Sequence, residues 1–148
     1  VSKHTFAHRI EISGSSFENI TGHVLFMNRE TDDLGIYNAE YVSISASTFR
    51  DIEGSAADVY RGGTDESTFG PHFEFQGSTV ENVGHGKRNK ARASIRLLGV
   101  QATDIRDNAF TESQPVRVIH TVGEPVTRFA DNQFSSTPAP IVADIGDL

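Results

Sequence analysis

One short template recurs five times along the chain. An apolar residue is followed three positions later by Ser or Asn, and two positions after that by an aromatic or apolar residue. It reads Ile12-Ser15-Phe17, Ile44-Ser47-Phe49, Phe75-Ser78-Val80, Ile105-Asn108-Phe110 and Phe129-Asn132-Phe134. Self-similarity at a period of a few tens of residues points to a stacked array, in which each unit buries its apolar face only against its neighbours. A further apolar residue follows three later in the first three copies, at Ile20, Ile52 and Val83. The fourth copy has Ser113 there, which reads as a weakening of the pattern.

Each copy must hold about three short strands. The stretches Ile10-Glu11-Ile12, Val42-Ser43-Ile44 and Phe73-Glu74-Phe75 alternate apolar and polar, so one face is buried and the other wet. After the template come Val24–Phe26, Val59, Ile95–Leu97, Val116–Val118 and Ile141-Val142, which read as the second strand of each copy. Frequent Gly, Ser, Thr and Asn supply the corners. The expected fold is all-β: a right-handed parallel β-helix of about five coils, one domain over residues 1–148. Stacked coils would pair strand to strand at about 4.8 Å. Ser15, Ser47, Ser78, Asn108 and Asn132 would then form a polar ladder at a bend, where short side chains bond backbone groups. Two rivals fit less well. Leucine-rich repeats need many Leu and a helical return, and an antiparallel sandwich has no need of a recurring Ser/Asn-x-Phe.

Composition narrows the function classes. A net charge of −7 argues against a general nucleic-acid binder, and no apolar run is long enough to span a membrane. There are no cysteines, hence no disulfides and no thiolate metal site. The chain begins at Val1, and residues 1–12 lack the pattern of a signal peptide, so a processed product or an excised domain is expected.

Three polar excursions leave the repeat: 28–35, 60–72 and 84–92. The third carries Lys87, Arg88, Lys90 and Arg92, with Arg96 close behind and no acid among them. Such a patch suits a polyanion, and Arg clamps a carboxylate at two points. The competing reading is a solvated loop, or ion pairs with acids such as Asp58 and Glu74. No aromatics interleave with these cations, which disfavours nucleic acid. If Val59, Ile95, Leu97, Val116 and Val118 face inward, then Asp58, Tyr60, Arg96 and Arg117 face out in adjacent coils. They would form a column able to track an extended sugar chain, or else Asp58 and Arg96 form an exposed ion pair worth little. Arg61 heads the Gly62-Gly63 bend beside Tyr60. The candidate substrate-binding set is thus Tyr60, Arg61, Lys87, Arg88, Lys90, Arg92, Arg96 and Arg117.

The acids Glu30, Asp32 and Asp33, or Asp65 and Glu66, offer the hard oxygen ligands that Ca²⁺ prefers, without the spacing of a known calcium loop. Ordinary solvated acids are the expectation. Six histidines (His4, His8, His23, His72, His85, His120) form no metal-ligand pair of recognised spacing, and no catalytic residue or metal site is assigned.

The stretches Asp33–Val42 and Tyr60–Pro71, together with Gly84–Lys90 and His120–Pro125, carry a resemblance. The chain resembles the C-terminal half of bacterial alginate lyases of polysaccharide lyase family six, the family of chondroitinase B. The resemblance implies an enzyme of two joined β-helical regions that cleaves by β-elimination. In that family a Ca²⁺ neutralises the uronate carboxylate, a Lys removes the C5 proton and an Arg assists at the leaving oxygen. Those groups lie in the N-terminal region, in Asn-Lys-Ser and Leu-Arg-His-Gly motifs. Neither motif occurs here. Asn89-Lys90-Ala91 and Arg96-Leu97-Leu98-Gly99 echo them but lie close together in sequence, so the catalytic roles are not transferred to Lys90 and Arg96.

The resemblance implies a C-terminal, non-catalytic domain of a secreted or periplasmic alginate lyase, needing no cofactor of its own. Its partners would be alginate and an N-terminal catalytic β-helix, with a homodimer as a further option and neither nucleic acid nor membrane. One alternative is a stand-alone lyase, with Lys87, Lys90 or His85 as base and Arg88 or Arg96 neutralising the carboxylate. Another is a non-enzymatic module that binds acidic polysaccharide.

Overall fold

The computed structural model describes residues 7–27, 39–60, 71–121 and 124–145. Its strands are β1 (Ala7–Ser13), β2 (Ser16–Ile20), β3 (Leu25–Met27), β4 (Ala39–Ser45), β5 (Thr48–Ile52), β6 (Ala57–Tyr60), β7 (His72–Gln76) and β8 (Thr79–Val83). They continue as β9 (Ile95–Leu98), β10 (Ala102–Arg106), β11 (Ala109–Thr111), β12 (Val116–His120), β13 (Val126–Ala130), β14 (Gln133–Ser135) and β15 (Ile141–Asp144). Every third strand joins the same sheet. The orders are β1-β4-β7-β10-β13, β2-β5-β8-β11-β14 and β3-β6-β9-β12-β15. All pairings are parallel. Three strands per turn, five turns: the chain is the expected parallel β-helix of five coils.

The template registers tier on tier. Ile12, Ile44, Phe75, Ile105 and Phe129 lie in one column of the first sheet. Phe17, Phe49, Val80, Phe110 and Phe134 lie in one column of the second. Phe17 stacks on Phe49 with centroids 5.3 Å apart, and Phe110 on Phe134 at 5.1 Å. The middle coils hold the core: Phe49, Phe73, Phe75 and Phe110 are fully buried, while Phe17, Phe129 and Phe134 in the outer coils are half-buried. Burying each such side chain stabilises by roughly 2–3 kcal/mol relative to exposure.

One element differs from the sequence reading. The middle strand of each coil is the tail of the template itself (β2, β5, β8, β11, β14), a stretch expected to be corner. Asn19, Asp51, Asn82, Glu112 and Ser136 sit at positive φ, each one step before the strand's last inward position or just past its end. The strand pairs on despite that local kink.

The polar ladder forms as expected. Ser47 Oγ accepts the Ser15 N–H at 3.2 Å, and Ser78 Oγ the Ser47 N–H at 3.1 Å. Asn108 Oδ1 then accepts the Ser78 N–H at 2.9 Å, and Asn132 Oδ1 the Asn108 N–H at 3.1 Å. The serine hydroxyls donate to the carbonyl two residues back, and the Asn108 and Asn132 amides donate to Phe75 O and Ile105 O. A corner that would strand backbone N–H groups away from water is thereby satisfied. The residue just before each rung is left-handed: Gly14, Ala46, Gly77, Asp107 and Asp131.

Ser113 is not a defect of the repeat. It starts a second ladder, accepting the Val83 N–H at 3.1 Å while its own N–H donates to Thr137 Oγ1 at 3.1 Å.

Candidate functional site

The outward residues of the third sheet form the expected column. Phe26, Asp58, Arg96, Arg117 and Ile141 are register partners in successive coils, and Tyr60 pairs with Leu98 two positions along. The inward set Val59, Ile95, Leu97, Val116 and Val118 is buried. The column is not an open row of charges, however. Arg96 grips Asp58 at two points, Nε to Oδ1 at 2.8 Å and Nη2 to Oδ2 at 3.1 Å. The Asp58 side chain is only 4% exposed, so the pair is not the exposed contact that the sequence allows. Arg117 Nε donates to Arg92 O at 3.0 Å, tying the strand to the loop. Tyr60 is half-buried at the end of β6.

His23 completes a buried charge cluster. Its Nδ1 accepts the Ser55 N–H at 2.9 Å, so the proton sits on Nε2, which faces Asp58 Oδ2 at 3.5 Å. The carboxylate is thus shared between a guanidinium and an imidazole, the arrangement that makes a buried charge tolerable.

The loop 84–94 leaves the helix between β8 and β9 and leans back over the earlier coils. Gly84 N–H donates to Ile52 O and Gly86 N–H to Glu53 O, both at 2.9 Å. Glycine is required at position 86, because a Cβ there would lie 2.7 Å from Glu53 Cβ. Asn89, 7% exposed, holds the loop from within: its amide reaches Gly84 O at 3.1 Å and Ala93 O at 3.3 Å, and its Oδ1 accepts the Ala91 N–H at 3.2 Å. His85 anchors the outer edge. Its Nε2 donates to Glu112 O at 2.7 Å and its Nδ1 meets the Gln114 amide at 3.2 Å. Both ring nitrogens are engaged, which leaves His85 poorly placed as a proton-abstracting base.

On this fixed backbone Lys87, Arg88, Lys90 and Arg92 are all exposed. Among the described residues no carboxylate lies within ion-pair distance of any of the four. Under the loop runs a cleft of about 650 Å³, lined by residues 21–23 of the first coil, 53 and 54 of the second and 85–89 of the loop. Lys87 and Arg88 face it; Lys90 and Arg92 are not among its lining. Its floor is possible because Gly54 packs on the backbone of Gly22, where a Cβ would lie 2.4 Å from Gly22 O.

Arg61 lies outside the described residues, as do the acids Glu30, Asp32, Asp33, Asp65 and Glu66. Among the described residues no three His, Cys, Asp or Glu side chains are grouped so as to hold a metal ion. Sequence reasoning missed His23, Phe26 and the keystone Asn89. Their signal lay in register: His23 follows Gly22, which stacks on Gly54, and neither relation exists until the coils are aligned.

No family model matches the chain, and no curated protein does. Solved structures do. The PL6 family alginate lyase AlyGC is 49% identical, aligned over 97% of this chain and 20% of that chain, with a TM-score of 0.89. An arginine-to-alanine mutant of AlyGC gives 48% identity over 95% of this chain and 19% of that chain, with a TM-score of 0.88. The chain therefore spans about one fifth of the length of the solved structures it matches. At this identity over nearly its whole length, it is homologous to a segment of a PL6 family alginate lyase.

Proposed function

We propose that this chain, the counterpart of about one fifth of a PL6 alginate lyase, is a supporting β-helical region of a lyase that depolymerises a polyuronate, and that it presents a basic wall to the polymer. The observation that carries the proposal is the loop 84–94. Four exposed cations stand on a backbone pinned to the two neighbouring coils, on a chain of net charge −7. A solvated loop needs no such anchoring. A backbone already fixed loses little freedom when a polyanion arrives, which favours binding.

The chemistry itself is assigned to a separate catalytic region, where the family's Ca²⁺, Lys and Arg would act. Within this chain Arg96 is committed to Asp58 and His85 to Glu112 and Gln114, so neither is available for β-elimination. A polymer-degrading role accords with a secreted or periplasmic location.

Two measurements test this. Incubation of the chain with alginate and Ca²⁺ is expected to give no rise in the ultraviolet absorbance of unsaturated product; turnover would overturn the non-catalytic assignment. Affinity electrophoresis in an alginate gel is expected to retard the chain, and Lys87→Ala with Arg88→Ala to remove the retardation. Unretarded wild-type chain would sink the basic wall.

A further inference from the structure

We propose that the mouth of the cleft beneath loop 84–94 is a subsite for a single acidic sugar, with an aromatic platform on one side and a cationic clamp on the other. This deepens the polyuronate-binding reading and rests on it.

The platform is Phe26 with His23. Phe26 occupies an outward position of β3 and is 54% exposed, the only exposed Phe among the described residues. It stands at the head of the outward column of the third sheet. Its ring packs against the imidazole of His23 at 5.3 Å between centroids, tilted by 31°. His23 in turn lines the cleft. The imidazole cannot rotate freely, because Ser55 N–H fixes one nitrogen and Asp58 the other, and Asp58 is itself fixed by Arg96. The buried Asp58–Arg96 pair therefore has a positioning role: it holds the ring against which Phe26 lies.

The Phe26 ring, resting on the fixed imidazole, suits the apolar C–H face of a pyranose, a surface that water solvates poorly. On the loop side of the same cleft stand Lys87 and Arg88. A sugar lying on the platform would direct a carboxylate toward them, where Arg makes two parallel hydrogen bonds. The volume, about 650 Å³, is that of a site for a small ligand and not of a long groove. Glu53 also lines the cleft and disfavours a negative group beside it, so the carboxylate belongs on the side of Lys87 and Arg88.

The test is calorimetric titration of the full chain with short alginate oligosaccharides and with the same oligosaccharides after reduction of their carboxyl groups. Phe26→Ala and Phe26→Leu are expected to weaken both ligands by about tenfold, since each removes the ring face. Lys87→Ala with Arg88→Ala should weaken the acidic ligand by about tenfold and leave the reduced one unchanged. Lys90→Ala with Arg92→Ala, outside the cleft, should change neither by more than about twofold. Thermal melts confirm that each variant is folded. If Phe26 variants bind as well as wild type while the Lys87/Arg88 variant does not, the subsite is overturned and the basic wall stands. If all four cations contribute equally, binding is diffuse and the subsite is again overturned. If the wild-type chain binds neither ligand, both readings fall together.

Discussion

Phe75 and Val80 trade sizes: the third coil places its large residue on the first sheet and its small one on the second, the reverse of Ile44/Phe49 and Ile105/Phe110 in the coils on either side. The Phe75 ring stands 5.5 Å from Phe49 and 6.3 Å from Phe110, occupying the gap that Val80 leaves in the phenylalanine column. Close packing of this kind penalises added volume as well as lost volume. Val80→Phe alone is expected to destabilise by about 1–3 kcal/mol. Adding Phe75→Ile should recover most of that loss. A double-mutant cycle by urea denaturation measures the coupling, and additive effects would show that the two side chains do not share one space.

Asn108 carries more of the polar ladder than any serine rung. It accepts the Ser78 N–H and donates to Phe75 O and to Asn132 Oδ1. Asn108→Ala leaves a buried donor and a buried carbonyl unmatched and should cost about 2–4 kcal/mol. Asn108→Ser keeps an acceptor and should cost about half as much. Equal losses in the two variants, read from chemical denaturation, would count against the ladder as a stabilising element.

Arg96→Ala removes the bidentate partner of a carboxylate that has almost no access to water. The expected loss is about 3 kcal/mol, because the remaining charge is left with His23 alone. Arg96→Ala combined with Asp58→Ala should be less destabilised than Arg96→Ala by itself. Thermal unfolding decides it: a double variant no better than the single one would mean that the guanidinium acts by packing.

Ala46 holds φ at +48°, where Gly14 and Gly77 serve the neighbouring coils. A Cβ in that conformation costs about 1–2 kcal/mol, offset in part by the extra freedom glycine has when unfolded. Ala46→Gly should therefore raise stability by up to about 1 kcal/mol, and Gly77→Ala should lower it by a similar amount. An unchanged midpoint for both would remove the strain argument.

Most of the architecture was legible because the period is written in side chains that face inward or bond across coils. Ile12, Ser15 and Phe17 recur with fixed spacing, and each copy demands a neighbour. The middle strands were not legible, since their outward residues (Glu18, Arg50, Glu81) are charged and their left-handed Asn19, Asp51 and Asn82 imitate turns. Across coils Arg50 bridges Glu18 at 3.3 Å and Glu81 at 3.2 Å, a relation that no local window contains. The basic loop could be found from charge alone. Its rigidity could not, because Asn89 looks like any loop asparagine until Gly84 O and Ala93 O close around it. The same holds for Asp58, whose burial depends on what the next coil brings to it.

The corner that carries the ladder has the same length in all five coils: one left-handed residue and one rung separate the first-sheet strand from the second. The stretches between the second and third strands do not, running over 21–24, 53–56, 84–94, 112–115 and 136–140. Growth of the chain is thus confined to particular edges of the cylinder, and a longer segment there leaves every rung in register. A lineage of such proteins can remodel what it touches by lengthening one rim, while the spine that keeps the tiers aligned stays untouched.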